Sequence, residues 1–191
     1  MRVEVVEEPI TALEEYARIP TAFEVTLIFD VADLGNGSGE FMLTERRVDV
    51  PYVKDYDAIN GENPAGWATR FDVSNWGLFA ALIEGRRIGG AVVAFNAGLD
   101  QLGGHDGSAV LWDIRVSPEV RGQGVGSALF QAAEARAQAR GCRHLKIETQ
   151  NINVPACRFY ARQGCVLAAV HRFAYPELPD EIQLLWHKDL L

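Results

Sequence analysis

No run of about twenty uninterrupted apolar residues occurs in the 191-residue chain, which excludes a helical membrane span. Cysteine is scarce. Cys142, Cys157 and Cys165 are odd in number and lack metal-ligand spacing, so they read as free thiols of a reducing compartment. The four histidines form no His-x-x-x-His or comparable cluster, and no metal site is expected. Positive charge is in deficit too. A formal net charge of −8 disfavours a nucleic-acid surface and would attract a cationic small molecule, although an acidic surface also serves solubility alone. Residues 1–9, with Glu4, Glu7 and Glu8 among apolar neighbours, have the character of neither a secretory nor a transit peptide. A cytoplasmic protein without membrane or nucleic-acid partners is therefore expected.

What is present suits a globular protein: 48% hydrophobic and 23% charged residues, and enough length for one domain with its own core. Val3 and Val5 begin an alternating strand, and residues 11–18 suit a short helix stopped by Pro20. Phe23, Val25, Leu27, Phe29 and Val31 alternate with more polar neighbours as a strand. After loop composition at 35–39, extended structure resumes over 41–53, interrupted at Pro51. Residues 54–75 are rich in turn chemistry and read either as a functional loop or as a disordered stretch. Strands over 76–84 and 88–96 flank a hairpin turn at Gly85, Arg86 and Arg87, and a loop at 99–108 leads into a strand over 109–117. Helical spacing gathers Val125, Ala128, Leu129, Ala132, Ala135 and Ala139 on one side of a helix over 125–140, which Gly141 stops. In the next strand, 144–150, Leu145, Ile147 and Thr149 face one way and Lys146, Glu148 and Gln150 the other. Asn153 and Pro155 open a second helix that Gly164 ends, and strands over 165–173 and 182–188 follow. With no repeat or linker in view, 1–191 reads as a single α/β domain.

Between the strand at 109–117 and the helix lie Arg121, Gly122, Gln123, Gly124, Val125, Gly126 and Ser127. Glycines let the backbone approach a ligand closely, and the first turn of a helix offers N–H groups without internal partners. Such a turn binds phosphate. A Walker loop would need a lysine after its last glycine, and Gly126-Ser127-Ala128 has none. The glycine spacing 122, 124, 126 also departs from the dinucleotide fingerprint, although Glu148 lies at a suitable distance for its acidic residue. An acyl-CoA pyrophosphate site is the third reading.

The pattern Arg121-x-x-Gly124-x-Gly126 after Ile114-Arg115-Val116-Ser117-Pro118-Glu119 resembles the acetyl-CoA motif of the GCN5-related N-acetyltransferase (GNAT) superfamily. A second stretch, Asn153-Val154-Pro155-Ala156 followed by Phe159-Tyr160 and Gly164-Cys165, is similar to the superfamily's asparagine, short tyrosine-bearing helix and glycine. Two motifs in order, with a strand between them, are more specific than either alone. Within the superfamily, Ala22-Phe23-Glu24-Val25, Arg47-Val48-Asp49-Val50-Pro51, Asp113-Ile114-Arg115-Val116 and 148–156 resemble the members that acetylate streptothricin. The resemblance implies a mixed, mostly antiparallel sheet of six to seven strands flanked by helices, with a parallel pair splayed around acetyl-CoA. It implies a cofactor-binding core at roughly 76–175, a substrate side built from the N-terminal part, and compatibility with a homodimer.

It also implies roles. Backbone groups of Ile114, Arg115 and Val116 would pair with the pantetheine arm and hydrogen-bond the oxyanion, and the amides from Arg121 to Ser127 would hold the pyrophosphate. Tyr160 would face the CoA sulfur as general acid, and Asn153 would contact the cofactor. Packing on an amphipathic helix explains Tyr160 as well, and a helix cap explains Asn153. Asp113, in an otherwise apolar strand and on the side opposite Trp112 and Ile114, and Glu148 are the carboxylates that could bind or deprotonate an ammonium. Pairing with Arg115 or Lys146 accounts for a strand-face carboxylate equally well. A cysteine acyl-enzyme lacks a base beside Cys157 or Cys165. Trp67, Trp76 and Trp112 read as core or loop anchors, Trp67 with the alternative of an aromatic over a cation.

The expected activity is acetyl transfer from acetyl-CoA to a primary amine, with a small cationic molecule such as streptothricin as acceptor. Asp55, Asp57, Glu62 and Asp72 in the irregular segment would suit such a ligand, as would a plain solvated face. Acetylation of a peptide N-terminus or lysine is the enzymatic alternative, and a non-catalytic acyl-CoA sensor is the alternative of another class.

Overall fold

The structure, a computed structural model, describes residues 2–35, 40–95 and 107–190. Among them run β1 (Glu4–Glu8), α1 (Leu13–Tyr16), β2 (Phe23–Asp33), β3 (Phe41–Lys54), α2 (Trp67–Arg70), β4 (Gly77–Ile83), β5 (Arg86–Phe95) and β6 (Ser108–Val116). They continue with α3 (Val125–Ala139), β7 (His144–Gln150), α4 (Val154–Arg162), β8 (Val166–His171) and β9 (Gln183–Asp189). A seven-stranded, mostly antiparallel sheet with one parallel pair has the order β1-β4-β5-β6-β7-β9-β8, and β2 and β3 form a separate ribbon. Two compact units divide the chain: one takes Met1–Ala22, Asp55–Leu145 and Asp189–Leu191, the other Phe23–Lys54 and Lys146–Lys188. β7 begins in the first and ends in the second.

In the first unit, β4 and β5 are nearly continuous apolar runs, and Leu78, Phe79, Ala80, Ala81 and Ile88 with Ala91, Val92 and Val93 are buried in the core. Helix α3 packs on β4, β5 and β6. The helix buries Val125, Leu129, Phe130, Ala133 and Ala137, whereas Ala135 and Ala139 are exposed. The expected stripe was thus rotated, because an alanine-rich helix reads alike on several sides and its two large residues, Leu129 and Phe130, decide which one is buried. The β4–β5 turn uses Glu84 (φ 50°) and Gly85 (φ 76°), while Arg86 and Arg87 already belong to β5. Two successive positive φ values are what a two-residue hairpin requires, so the expected turn shifts back by one residue.

Neighbouring strand residues face opposite ways, and Gly89 and Gly90 show what this does. A Cβ on Gly89 would press on Leu129 and Val125 of α3; one on Gly90 would lie 2.7 Å from the Tyr16 ring. Tyr16 therefore covers the face of β5 opposite α3. Residues 54–75 are folded among the described residues: Asn63 caps a 3-10 turn, α2 follows, and Trp67 is buried.

In the second unit the β2–β3 ladder runs from Phe23 opposite Lys54 to Asp33 opposite Phe41. Its register skips between Val25 opposite Tyr52 and Leu27 opposite Arg47. That skip accommodates Pro51, which has no N–H for the ladder, so β3 continues where an interruption was expected. At the end of β7, Asn151 joins three segments. Its carbonyl accepts from Phe29 N–H at 2.9 Å, its amide donates to the Phe29 carbonyl at 3.0 Å, and its side-chain oxygen accepts from Ile182 N–H at 2.8 Å. Asn153 caps α4 through Ala156 N–H, and Gly164 (φ 84°) follows its end. The expected loop at 99–108 lies almost entirely outside the described residues, as does most of that at 35–39.

Gly90 yields a stability test. In Gly90→Ala the new Cβ would also sit 2.6 Å from the Phe79 carbonyl, a backbone atom that cannot swing away. We expect a loss of about 1–3 kcal/mol, read as a lower midpoint in thermal or urea unfolding. An unchanged midpoint would contradict the packing of Tyr16 on β5.

Candidate active site

The turn between β6 and α3 is built as the glycines require. Gly122 (φ 76°) and Gly124 (φ 87°) are left-handed, and a Cβ on either would meet nothing within 4 Å. Conformation, rather than crowding within the protein, excludes side chains there, and the space before the turn is open to a ligand. The first bond of the helix ladder runs from Ala128 N–H to the Gly124 carbonyl at 3.0 Å. The first turn of any helix begins with N–H groups that the helix ladder itself does not use. Arg121 does not reach forward over the turn; it folds back, donating from Nε to the Val116 carbonyl at 2.9 Å and more weakly to the Pro20 and Ala22 carbonyls. A glycine turn that leads into a helix N-terminus is the kind of backbone that suits an anion.

On β6 the ladder is irregular. Val93 lies opposite Leu111 and Val92 opposite Asp113, so Trp112 is the additional residue of a bulge. A bulge breaks strict alternation and re-aims side chains. The bulge interrupts the alternation on which the expected opposition of Trp112 and Asp113 was based, and each is linked to Tyr16 through a different neighbour. Trp112 packs edge-on against Trp67 (centroids 6.0 Å), which packs on Tyr16 (6.4 Å). Asp113 binds Arg115, whose guanidinium stands 5.2 Å from the Tyr16 ring.

Arg115 is the centre of this arrangement. Its side chain is 2% exposed, donates from Nε to Asp113 Oδ2 at 2.5 Å, and donates from both Nη groups to Asp57 at 2.8 and 2.9 Å. Nη1 also reaches the Ile19 carbonyl at 3.1 Å. Burial alone would lower the pKa of Arg115, but the charge of Asp113 and the hydrogen bonds of Asp57 and Asp113 outweigh it and hold the guanidinium charged. One guanidinium against two carboxylates leaves the trio with one negative charge. Burial first, then the Asp113 charge, raises the Tyr16 phenol far above its ordinary value. The other acids of the segment are engaged locally: Asp55 accepts from Asp57 N–H, Asp72 from Ser74 N–H, and Glu62 pairs with Arg70 at 3.6 Å.

The second unit holds the remaining candidates. Glu148 Oε1 accepts from the Tyr175 hydroxyl at 2.5 Å, and Gln150 donates to the same hydroxyl at 3.0 Å. Burial, then the Glu148 charge, pushes the Tyr175 phenol far up, so it stays a donor. Tyr160 is 5% exposed and meets Phe159 edge-on at 5.2 Å. Cys157 lies in the same helix, buried, with its thiol pushed up to about 11 by burial, so it carries almost no thiolate at neutral pH. Thr149 Oγ1 joins it at 3.4 Å and accepts from Trp186 Nε1 at 2.8 Å. An open recess of about 480 Å³ also lies in this unit, with Asp30, Arg46, Arg172 and Asp180 in its lining. Two arginines offset two aspartates, so charge alone does not make it selective for an ammonium.

Of the residues singled out from sequence, Asp113 and Arg115 come together in the first unit along the strand of Ile114 and Val116, which the turn from Arg121 to Ser127 follows. Glu148, Asn153 and Tyr160 belong to the second. Tyr16 and Tyr175 carried no sequence signal beyond a short helix and a turn. Asp57 could be named as an acid but not distinguished from Asp55, Glu62 or Asp72, because its partner is 58 positions away.

Residues 46–165 match the Acetyltransferase (GNAT) family. The chain is 30% identical over 160 residues to the streptothricin acetyltransferase of Streptomyces lavendulae, covering 84% of this chain and 79% of that one. A crystal structure of nourseothricin acetyltransferase superposes with a TM-score of 0.76 at 26% identity, covering all of both chains. A Bacillus anthracis protein solved with acetyl coenzyme A has the same fold, with a TM-score of 0.78 at 24% identity over 98% of this chain and 99% of that one. Among the described residues, no helix is long and apolar enough to cross a membrane. Matched over more than half its length, the chain belongs to the GNAT family and is an acetyl-CoA-dependent N-acetyltransferase.

Proposed function

We propose that this enzyme acetylates a primary amine of a small cationic antibiotic of the streptothricin type, by direct attack on acetyl-CoA within a ternary complex, and that residues 1–191 act as one catalytic domain. The observation that carries this reading is the extent of similarity to the Streptomyces lavendulae enzyme. An alignment of 160 residues exceeds the cofactor-binding core at roughly 76–175 and so reaches into the part that this reading gives to the acceptor. The negative trio at Arg115 agrees with a cationic acceptor.

In this reading the amides from Gly122 to Ser127, with the charge of Arg121, hold the pyrophosphate, and backbone groups of Ile114, Arg115 and Val116 align the pantetheine arm and the thioester carbonyl. Asn153 contacts the cofactor as well as capping α4. The neutral amine nitrogen attacks the carbonyl carbon, the C–S bond breaks, and Tyr160 gives a proton to the departing thiolate. The proton lost by the amine leaves through Asp113 or, by way of water, Glu148. Asp113 keeps an oxygen that Arg115 does not engage; Glu148 already accepts from Tyr175, which favours Asp113.

Acetyl-CoA with streptothricin should release free CoA and give a mono-acetylated product by mass spectrometry, with polyamines, aminoglycosides and peptides turned over more slowly. Peptide acetylation outpacing streptothricin would favour the peptide alternative and sink this reading. Tyr160→Phe should lower kcat by about 10²-fold or more while acetyl-CoA affinity stays within a few-fold; unchanged kcat would remove Tyr160 from the chemistry. Because transfer is direct, no acetylated protein should accumulate with acetyl-CoA alone. Alkylation of the native protein at neutral pH should modify half-exposed Cys142 well before buried Cys157 and Cys165. Rapid labelling of Cys157, or an acetyl group on it, would reopen an acyl-enzyme route.

A further inference from the structure

The further inference rests on the reading of a cationic acceptor and concerns how Arg115 divides its donors. Both Nη groups donate to Asp57, Nη1 also reaches the Ile19 carbonyl, and Nε donates to a single oxygen of Asp113. The end-on pair with Asp57 balances the guanidinium charge. The charge of Asp113 is then left over. Asp57 is itself fixed, since its N–H is held by Asp55 in a tight turn.

Other features point to a ligand on Asp113. The Tyr16 hydroxyl is wholly buried and completes no hydrogen bond, although Asp113 and Arg115 are the charged groups it faces. The carboxylates of Asp113 and Asp57 keep 19% and 16% of their side-chain surface exposed, whereas Arg115 keeps 2%. The negative groups of the trio thus reach solvent while the positive one does not. Trp112, beside Asp113 in the bulge, is half-buried and packs on Trp67, Phe71 and Trp76.

We propose that Asp57 is a positioning residue that selects the acceptor: by pairing with the Nη groups of Arg115 it balances the guanidinium and leaves one net negative charge, on the side of Asp113, for the acceptor's ammonium. Asp57 acts through Arg115 and need not touch the acceptor itself. Asp57→Asn would neutralise the trio, and Asp57→Glu would keep its charge.

The experiment is a steady-state comparison of wild type, Asp57→Asn and Asp57→Glu with streptothricin and acetyl-CoA as the varied substrates, with unfolding midpoints measured in parallel. In Asp57→Asn the KM for streptothricin should rise about tenfold or more, the worth of one charge-assisted contact, while the KM for acetyl-CoA stays within about twofold. Asp57→Glu should retain the streptothricin KM to within about threefold. An active wild type whose streptothricin KM is unmoved in Asp57→Asn would overturn the inference and leave the proposed function standing. So would equal damage to both KM values, or an Asp57→Glu enzyme as impaired as Asp57→Asn, since either marks a purely structural role. Should Asp57→Asn fail to fold, Asp57→Glu decides alone, by keeping or losing the streptothricin KM. A wild type that turns over neutral amines but not streptothricin would overturn the proposed function, and this inference with it.

Discussion

A guanidinium taken out of water must be compensated nearly completely, and that requirement organises the first unit. Burying an uncompensated charge costs several kcal/mol on the order expected for ions in protein interiors. Arg115 meets the demand with Asp113 from its own strand, Asp57 from the segment before β4, the Ile19 carbonyl after α1 and the face of Tyr16. Each partner comes from a different stretch of chain, so the charge draws them onto one face of β5 and β6. The glycine at position 90 makes the face possible by admitting the Tyr16 ring against the strand. A buried ion pair of this kind is a weak source of net stability. Its worth lies in specifying which groups meet.

The same strand that carries Arg115 leads into the turn before α3, and the two features divide the work. In the proposed function, side chains of β6 supply charge toward an acceptor, and the turn supplies backbone amides toward a phosphate. Neither task needs a metal or a nucleophilic side chain, in keeping with cysteines that are buried or raised above their usual range. In the second unit a different economy holds. Asn151 saturates its hydrogen bonds among β2, the end of β7 and the approach to β9, which fixes the chain just before the helix of Asn153 and Tyr160.

Much of this was legible in the sequence, and the gaps have physical causes. The period-two pattern of 23–31, the alternation of 144–150 and the Asn153–Gly164 helix signals are local, and the structure agrees with them. The glycine turn was legible because positive φ and a helix start leave a composition that few other structures share. The bulge at Trp112 was not legible: it depends on how two strands register, and no residue type announces it. Helix α3 was rotated because alanine is indifferent to burial. Asp57, Tyr16 and Tyr175 escaped for one reason, that each acquires meaning from a partner distant in sequence. The similarity to known acetyltransferases identifies the reaction, while the arrangement around Arg115 comes from side-chain geometry alone.

The central claim, that the turn from Gly122 to Ser127 receives the acyl carrier, is most directly tested by amide hydrogen exchange with and without saturating acetyl-CoA. The account predicts that the amides of this turn and the first turn of α3 gain the largest protection in the chain, because they become phosphate-bound donors. Tight acetyl-CoA binding with no added protection between residues 121 and 128 would contradict it.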